Sequence, residues 1–203
     1  MNTRKRNAFE TRNKIYNTAK DLFKKYGFEN VSVDSIVEAA GVAKGSFYVH
    51  FETKDSLVAI YISDYVNKVD TDYKAYIDSF DARTSASDIL LSLIEKITDI
   101  LIHDIGYDQM KTLYRIQITK TANIDAVLND NREIYKVFHD ILSKGVQQGE
   151  FKTEIPLDVL AKHCMTAIRG ITYEWCIRYP DYDYKEEALQ HFRVLLTGIK
   201  KCS

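Results

Sequence analysis

The eight residues from Lys44 to Phe51, KGSFYVHF, divide by helical spacing into two faces of different chemistry. Phe47 and Phe51, at i and i+4, share one side and belong to a core. Gly45 and Val49 point the opposite way, with Ser46 beside them. Lys44 and Tyr48 flank one edge and His50 the other. A glycine that admits a close backbone, a hydroxyl that can donate or accept, and a short apolar side chain suit the edges of base pairs, where valine can touch a thymine methyl. Lys44, Tyr48, His50 and, further on, Lys54 carry donors for phosphate oxygens, contacts that position a protein without reading sequence.

Such a face works only if neighbouring elements hold it. Ser32 is a good N-cap for a short helix with Val33, Ile36, Val37 and Ala40 on its apolar side, and Asp34 in its first turn suits the helix dipole. The third helical position is Ser35 rather than Glu, so the full capping box is not expected. Gly41 ends this helix after two turns, and a second short helix spans 44–50. Before them, Ile15, Ala19, Leu22, Phe23 and Tyr26 give helix 8–26 one apolar face, closed by Gly27. Two short helices joined by a glycine-containing turn read as a helix-turn-helix, which lays its second helix in the major groove of DNA. The N-terminus of the first, at Ser32, offers backbone N–H groups to a phosphate. Charge agrees: the first 25 residues hold eight basic and two acidic residues, whereas residues 56–203 hold 18 basic and 22 acidic. Arg4, Lys5 and Arg6 are expected to form a flexible arm reaching a phosphate or the minor groove.

With these residues in place, the stretch from Thr11 to Leu57 resembles the DNA-binding domain of the TetR family of bacterial regulators. The family's hallmarks stand here as Ala19, Leu22, Phe23, Gly27, Ile36, Ala39, Gly41, Val42, Gly45, Tyr48, Phe51, Lys54 and Leu57. The resemblance covers about a quarter of the chain. It implies that Ser32, Lys44, Gly45, Ser46, Tyr48, Val49, His50 and Lys54 face DNA. Val49 stands where Tyr or His is frequent in the family, and Glu52 where Lys is frequent; these departures alter base preference and remove one phosphate contact. The resemblance also implies a second, helical domain that dimerises and encloses a small-molecule pocket.

Beyond residue 57, apolar spacing and caps place further helices at about 54–77, 85–104, 107–121, 130–148, 156–178 and 185–200. The expected fold is therefore all-α, with about nine helices. A helix-turn-helix domain occupies residues 1–52, and a helical ligand-binding and dimerisation domain occupies 53–203. One recognition helix reads only a few base pairs, so a palindromic double-stranded operator and a homodimer follow. The expected interface is the last two helices, where Leu160, Cys164, Ile168 and Ile171 line one and Leu189, Phe192, Leu196 and Ile199 the other, as in a four-helix bundle. Fourteen tyrosines suggest an aromatic-walled pocket for an apolar or aromatic effector. Its candidate lining is Tyr61, Tyr65, Leu101 and Tyr107, together with Tyr114, Gln117, Tyr135 and Trp175. The long helix starting at Lys54 is the expected lever between effector and DNA.

Other functions find little support. His103-Asp104 and His139-Asp140 resemble the pairs of metal phosphohydrolases, but no further His and Asp set completes a metal site. There is no phosphate-cradling glycine loop and no Gly-x-Ser-x-Gly, so neither enzyme activity nor a cofactor is expected. Cys164 and Cys176 lie about 18 Å apart along one helix, too far to bridge, and Cys202 is near the terminus. No apolar run reaches the length of a membrane span and no signal segment leads the chain, so a cytoplasmic location is expected. Repression is the expected mode, although its sign depends on operator position.

Overall fold

The structure, a computed structural model, describes residues 3–152 and 154–200, with only the backbone at 126. Cys202 lies outside the described residues. Among these residues the helices are α1 (Thr3–Tyr26), α2 (Val33–Ala40), α3 (Lys44–His50), α4 (Lys54–Asp78), α5 (Ala86–Asp99), α6 (Tyr107–Thr119), α7 (Asp125–Leu128), α8 (Glu133–Gln147), α9 (Leu157–Arg178) and α10 (Tyr184–Ile199). The fold is all-α, and every expected helix is found. Two features are additional: the four-residue α7, and a π-helical segment, Ile100–Ile105, that replaces the end of the helix expected to run to 104.

The chain forms two compact units, Met1–Tyr65 with Lys111–Val127, and Val66–Met110 with Leu128–Ser203. The expected division at 52/53 does not coincide with them. Their boundaries fall inside α4 and α6, and Arg115 and Thr121 both bond Asp55 within the first unit.

In the first unit, α1, α2 and α3 enclose a small core of Ile15, Ala19, Phe23, Ile36, Val37, Ala40, Phe47 and Phe51. Each buried phenylalanine contributes roughly 1.5–3 kcal/mol. Tyr26, expected on the apolar face of α1, is exposed. Helix α1 starts at Thr3, so Arg4, Lys5 and Arg6 are helical rather than a loose arm; all three are good helix formers, and Arg6 pairs with Glu10 at 3.6 Å. Gly27 takes φ +77° and lets the chain turn so that Phe28 packs on Phe23, ring centroids 4.4 Å apart. The cap of α2 is more complete than expected. Ser35 accepts from the Ser32 N–H at 3.0 Å while the Ser32 hydroxyl accepts from the Ser35 N–H at 3.0 Å, so a serine does what Glu usually does. Thr53 and Ser56 repeat the same exchange at the start of α4.

In the second unit, α5, α8, α9 and α10 pack around Leu93, Ile94, Val137, Phe138, Ile168 and Phe192. The Glu150 carboxylate accepts from the backbone N–H groups of Ala86 (2.7 Å) and Ser87 (3.2 Å), capping α5 across the fold. Arg132 grips Asp70 through Nη2–Oδ1 at 2.7 Å and Nε–Oδ2 at 3.0 Å, with the Asp70 side chain only 4% exposed. Gly145 makes room for the buried ring of Phe151, which occupies the space a Cβ would need.

Candidate nucleic-acid interface

The recognition face is built by what it hides. Phe47 and Phe51 are buried, their rings 5.6 Å apart, and fix the rotation of α3 about its axis. The opposite side then points away from the core: Val49 is 77% exposed and Tyr48 53% exposed. Gly45 is open, with no atom within 4 Å of where a Cβ would stand. Lys44 is exposed; Ser46 and His50 are half-buried at the edges. Gly41, in the left-handed region at φ +60°, makes the turn between the helices; its N–H donates to Glu38 O at 3.0 Å, and the next N–H, of Val42, to Val37 O at 3.0 Å. Arg12 lies 5.3 Å over the Phe51 ring and ties α1 to the end of α3.

Two residues of the expected set already have partners within the chain. Lys54 does not face outward. Its ammonium donates to the carbonyl oxygens of Phe28 (2.7 Å) and Val31 (2.9 Å), because the turn between α1 and α2 leaves these acceptors without helical partners. It anchors the start of α4 to that turn. The Ser32 hydroxyl is engaged in the α2 cap and shapes that helix start.

One residue enters that sequence reasoning treated only as a dipole partner. Asp34 Oδ1 lies 2.7 Å from Lys44 Nζ, and the carboxylate raises the lysine's pKa, by hydrogen bond first and charge second. Nothing in one sequence marks this pair, since it joins two helices ten residues apart.

The remaining candidates scatter. Tyr61, Tyr65, Tyr114 and Gln117 belong to the first unit, and Leu101, Tyr107, Tyr135 and Trp175 to the second. Tyr61 packs near Phe28, centroids 6.1 Å apart. Tyr107 and Trp175 do come together, edge to face at 6.1 Å, with Tyr179 stacked on Tyr107 at 4.0 Å and Tyr184 on Trp175 at 5.0 Å. Tyr135 instead borders an open cleft of about 700 Å³ between α8 and α9, whose walls are charged rather than apolar. There Lys136 pairs with Glu133 and Lys162 with Asp130, each at 2.9 Å. Of the eight expected interface residues, Cys164, Ile168, Ile171, Phe192 and Leu196 are buried within the chain itself, and Leu160, Leu189 and Ile199 are half-buried. Most of that stripe packs into the chain's own core. The outer side of α9 carries exposed Val159, His163, Thr166, Gly170, Tyr173 and Ile177 at alternating four- and three-residue spacing, and α10 exposes Val194.

Burial pushes the thiol of Cys164 up to about 12 and that of Cys176 up to about 11, which leaves neither as a thiolate at neutral pH. Among the described residues no three His, Cys, Asp or Glu are grouped to hold a metal, and no helix is long and apolar enough to cross a membrane.

The family model for bacterial regulatory proteins of the tetR family matches residues 15–59, the segment that builds the interface. Residues 15–59 are a TetR-family DNA-binding segment. The chain is a DNA-binding transcriptional regulator. Relatives include the HTH-type transcriptional repressor KstR2 of Mycolicibacterium smegmatis, 27% identical over 196 residues, which span 93% of this chain and 90% of that protein. The fatty acid metabolism regulator protein of Bacillus subtilis is 21% identical over 191 residues, spanning 91% and 93%. In fold the chain is similar to a TetR-family regulator from Pectobacterium atrosepticum (TM-score 0.76, 15% identity, 100% and 99% covered). It is similar also to Thermus thermophilus FadR, solved with lauroyl-CoA (TM-score 0.69, 17% identity, 92% and 93% covered).

Proposed function

We propose that the chain is a repressor that binds a palindromic operator as a homodimer and leaves it when a small apolar or aromatic effector binds. The observation that carries the reading is the recognition face of α3, with Gly45, Ser46, Tyr48 and Val49 outward on a helix fixed by buried Phe47 and Phe51. Residues 1–52 supply the DNA contacts, and 53–203 the pairing and sensing. Tyr48 and His50 hold phosphates; Gly45, Ser46 and Val49 meet base edges, with Lys44 beside them at the start of α3. The second copy docks on the outer stripe of α9 with α10, where apolar side chains are exposed and Gly170 permits close approach. The effector class is supported by the names of the relatives, a fatty acid metabolism regulator among them, and by the lauroyl-CoA bound in the Thermus structure. A cytoplasmic setting accompanies the reading.

Selection of bound fragments from a random duplex library at a stated near-physiological salt, with a Tyr48→Ala, Val49→Ala double variant in parallel, tests it. Enrichment of a palindrome by the natural protein only is the expected result. No enrichment by folded protein, freed of any co-purified effector by unfolding and refolding, would overturn the reading.

A further inference from the structure

Asp34 is an unusual residue to find on a surface that meets a polyanion. It sits in the first turn of α2 with its side chain 70% exposed, and it holds the Lys44 ammonium, 55% exposed, at 2.7 Å. Lys44 in turn opens α3, beside Gly45, where the backbone is open. A free lysine on a four-carbon stem is a mobile point charge suited to phosphates. Pinned by a carboxylate, it is neutralised as a pair and restricted in direction. Such a pair gains little from a phosphate, because it releases few counterions and brings a repelled charge with it. It presents a donor beside an acceptor. In the major groove guanine offers O6 and N7 as adjacent acceptors for the ammonium, and the paired cytosine offers its N4 amine to a carboxylate.

We propose that Asp34 and Lys44 form the specificity-determining pair of the reading head, recognising one G·C base pair in each half-site and weakening attachment to unselected duplex. Lys44 donates to guanine O6 and N7. Asp34 accepts from cytosine N4 and positions the ammonium. The carboxylate makes non-specific binding weaker than the basic α1 alone would give, which widens the ratio between operator and bulk DNA. The inference rests on the DNA-binding reading above and deepens it.

The test compares wild type, Asp34→Ala, Asp34→Asn and Lys44→Ala in competition binding against every single-base change of the half-site selected by the wild type. One G·C position is expected to carry discrimination of about tenfold or more in the wild type and to lose it in Asp34→Ala and Lys44→Ala alike, with the other positions unmoved. The double variant loses no more at that position than either single one. Asp34→Ala also binds unselected duplex more tightly, and its slope of log K against log salt steepens by about 0.9 per head as the released lysine takes a phosphate. Asp34→Asn keeps the shape without the charge and shares the tighter unselected binding, which guards against a folding effect. A wild-type preference that survives Asp34→Ala at every position overturns the pair, as does a lost preference at any base pair other than G·C. A wild type that selects no common site overturns the reading head and this inference together.

Discussion

Arg115 and Asp55 face each other as a two-pronged pair, Nη1 to Oδ2 at 3.1 Å and Nη2 to Oδ1 at 2.9 Å. The Thr121 hydroxyl donates to the same carboxylate at 2.6 Å, and Glu29 lies 3.7 Å from Arg115 Nε. Residues 111–127 are thereby fastened to the first turn of α4 within the first unit. Asp55 is mostly buried and Arg115 partly exposed, so the pair lies between the surface and interior limits. Arg115→Ala is expected to cost about 1–2 kcal/mol. Amide exchange should show protection lost first in residues 111–127; uniform loss across the chain would contradict a local fastening.

The same pair sets an acid limit. The hydrogen bond from Arg115 is the largest of the causes that hold the Asp55 carboxyl below its usual range, with burial opposing. A depressed folded value means that its stabilisation is complete above the unfolded pKa, about 4, and is lost as pH falls through the folded value. Unfolding midpoints measured downward from pH 5 should fall less steeply in Asp55→Asn than in wild type. Parallel acid limbs would count against this assignment.

Lys54 gives a sharp contrast between anchor and DNA contact. With its ammonium on the carbonyls of Phe28 and Val31, Lys54→Met removes a donor from both, leaving Phe28 O only the Val31 N–H at 3.4 Å, and is expected to cost about 1–3 kcal/mol. The salt dependence of operator binding should not change. Were the lysine on a phosphate, the slope would drop by about 0.9 per head while stability held.

Gly145→Ala should destabilise the second unit by about 1–3 kcal/mol or more, because the methyl group meets the Phe151 ring. A Gly145→Ala, Phe151→Leu double variant should recover part of that loss in thermal unfolding. Full additivity of the two losses would argue that the contact is relieved elsewhere.

Pairing through the outer side of α9 predicts that Val159→Glu with Ile177→Glu yields a folded monomer by sedimentation, whereas Leu160→Ala does not change the oligomeric state. A dimer that survives both glutamates would move the interface off this stripe.

The helix-turn-helix was legible because everything that defines it is local: periodicity over two turns, Ser32 as cap, Gly41 as stop, and Phe47 with Phe51 on one side. The two units were less so, since their boundaries fall within continuous helices where no proline or glycine marks them. The pairing stripe was less legible because α9 is apolar on more than one side. Leu160, Cys164, Ile168 and Ile171 follow a helical period as well as Val159, Tyr173 and Ile177 do, and periodicity alone does not tell a chain's own core from a partner's. The inward turn of Lys54 depends on two carbonyls more than twenty residues away, and the Asp34–Lys44 contact on how α2 meets α3. The π-helical segment adds a residue to a turn without disturbing the apolar pattern that marks the helix.

The open space around Gly45 and the exposure of Val49 carry an evolutionary consequence. Gly45 and Val49 take little part in packing, so mutation can rewrite these positions while the scaffold keeps its stability. A lineage can therefore drift to a new regulon by small steps, each variant still folding, with buried Phe47 and Phe51 as the chassis and the outward residues as the exchangeable address.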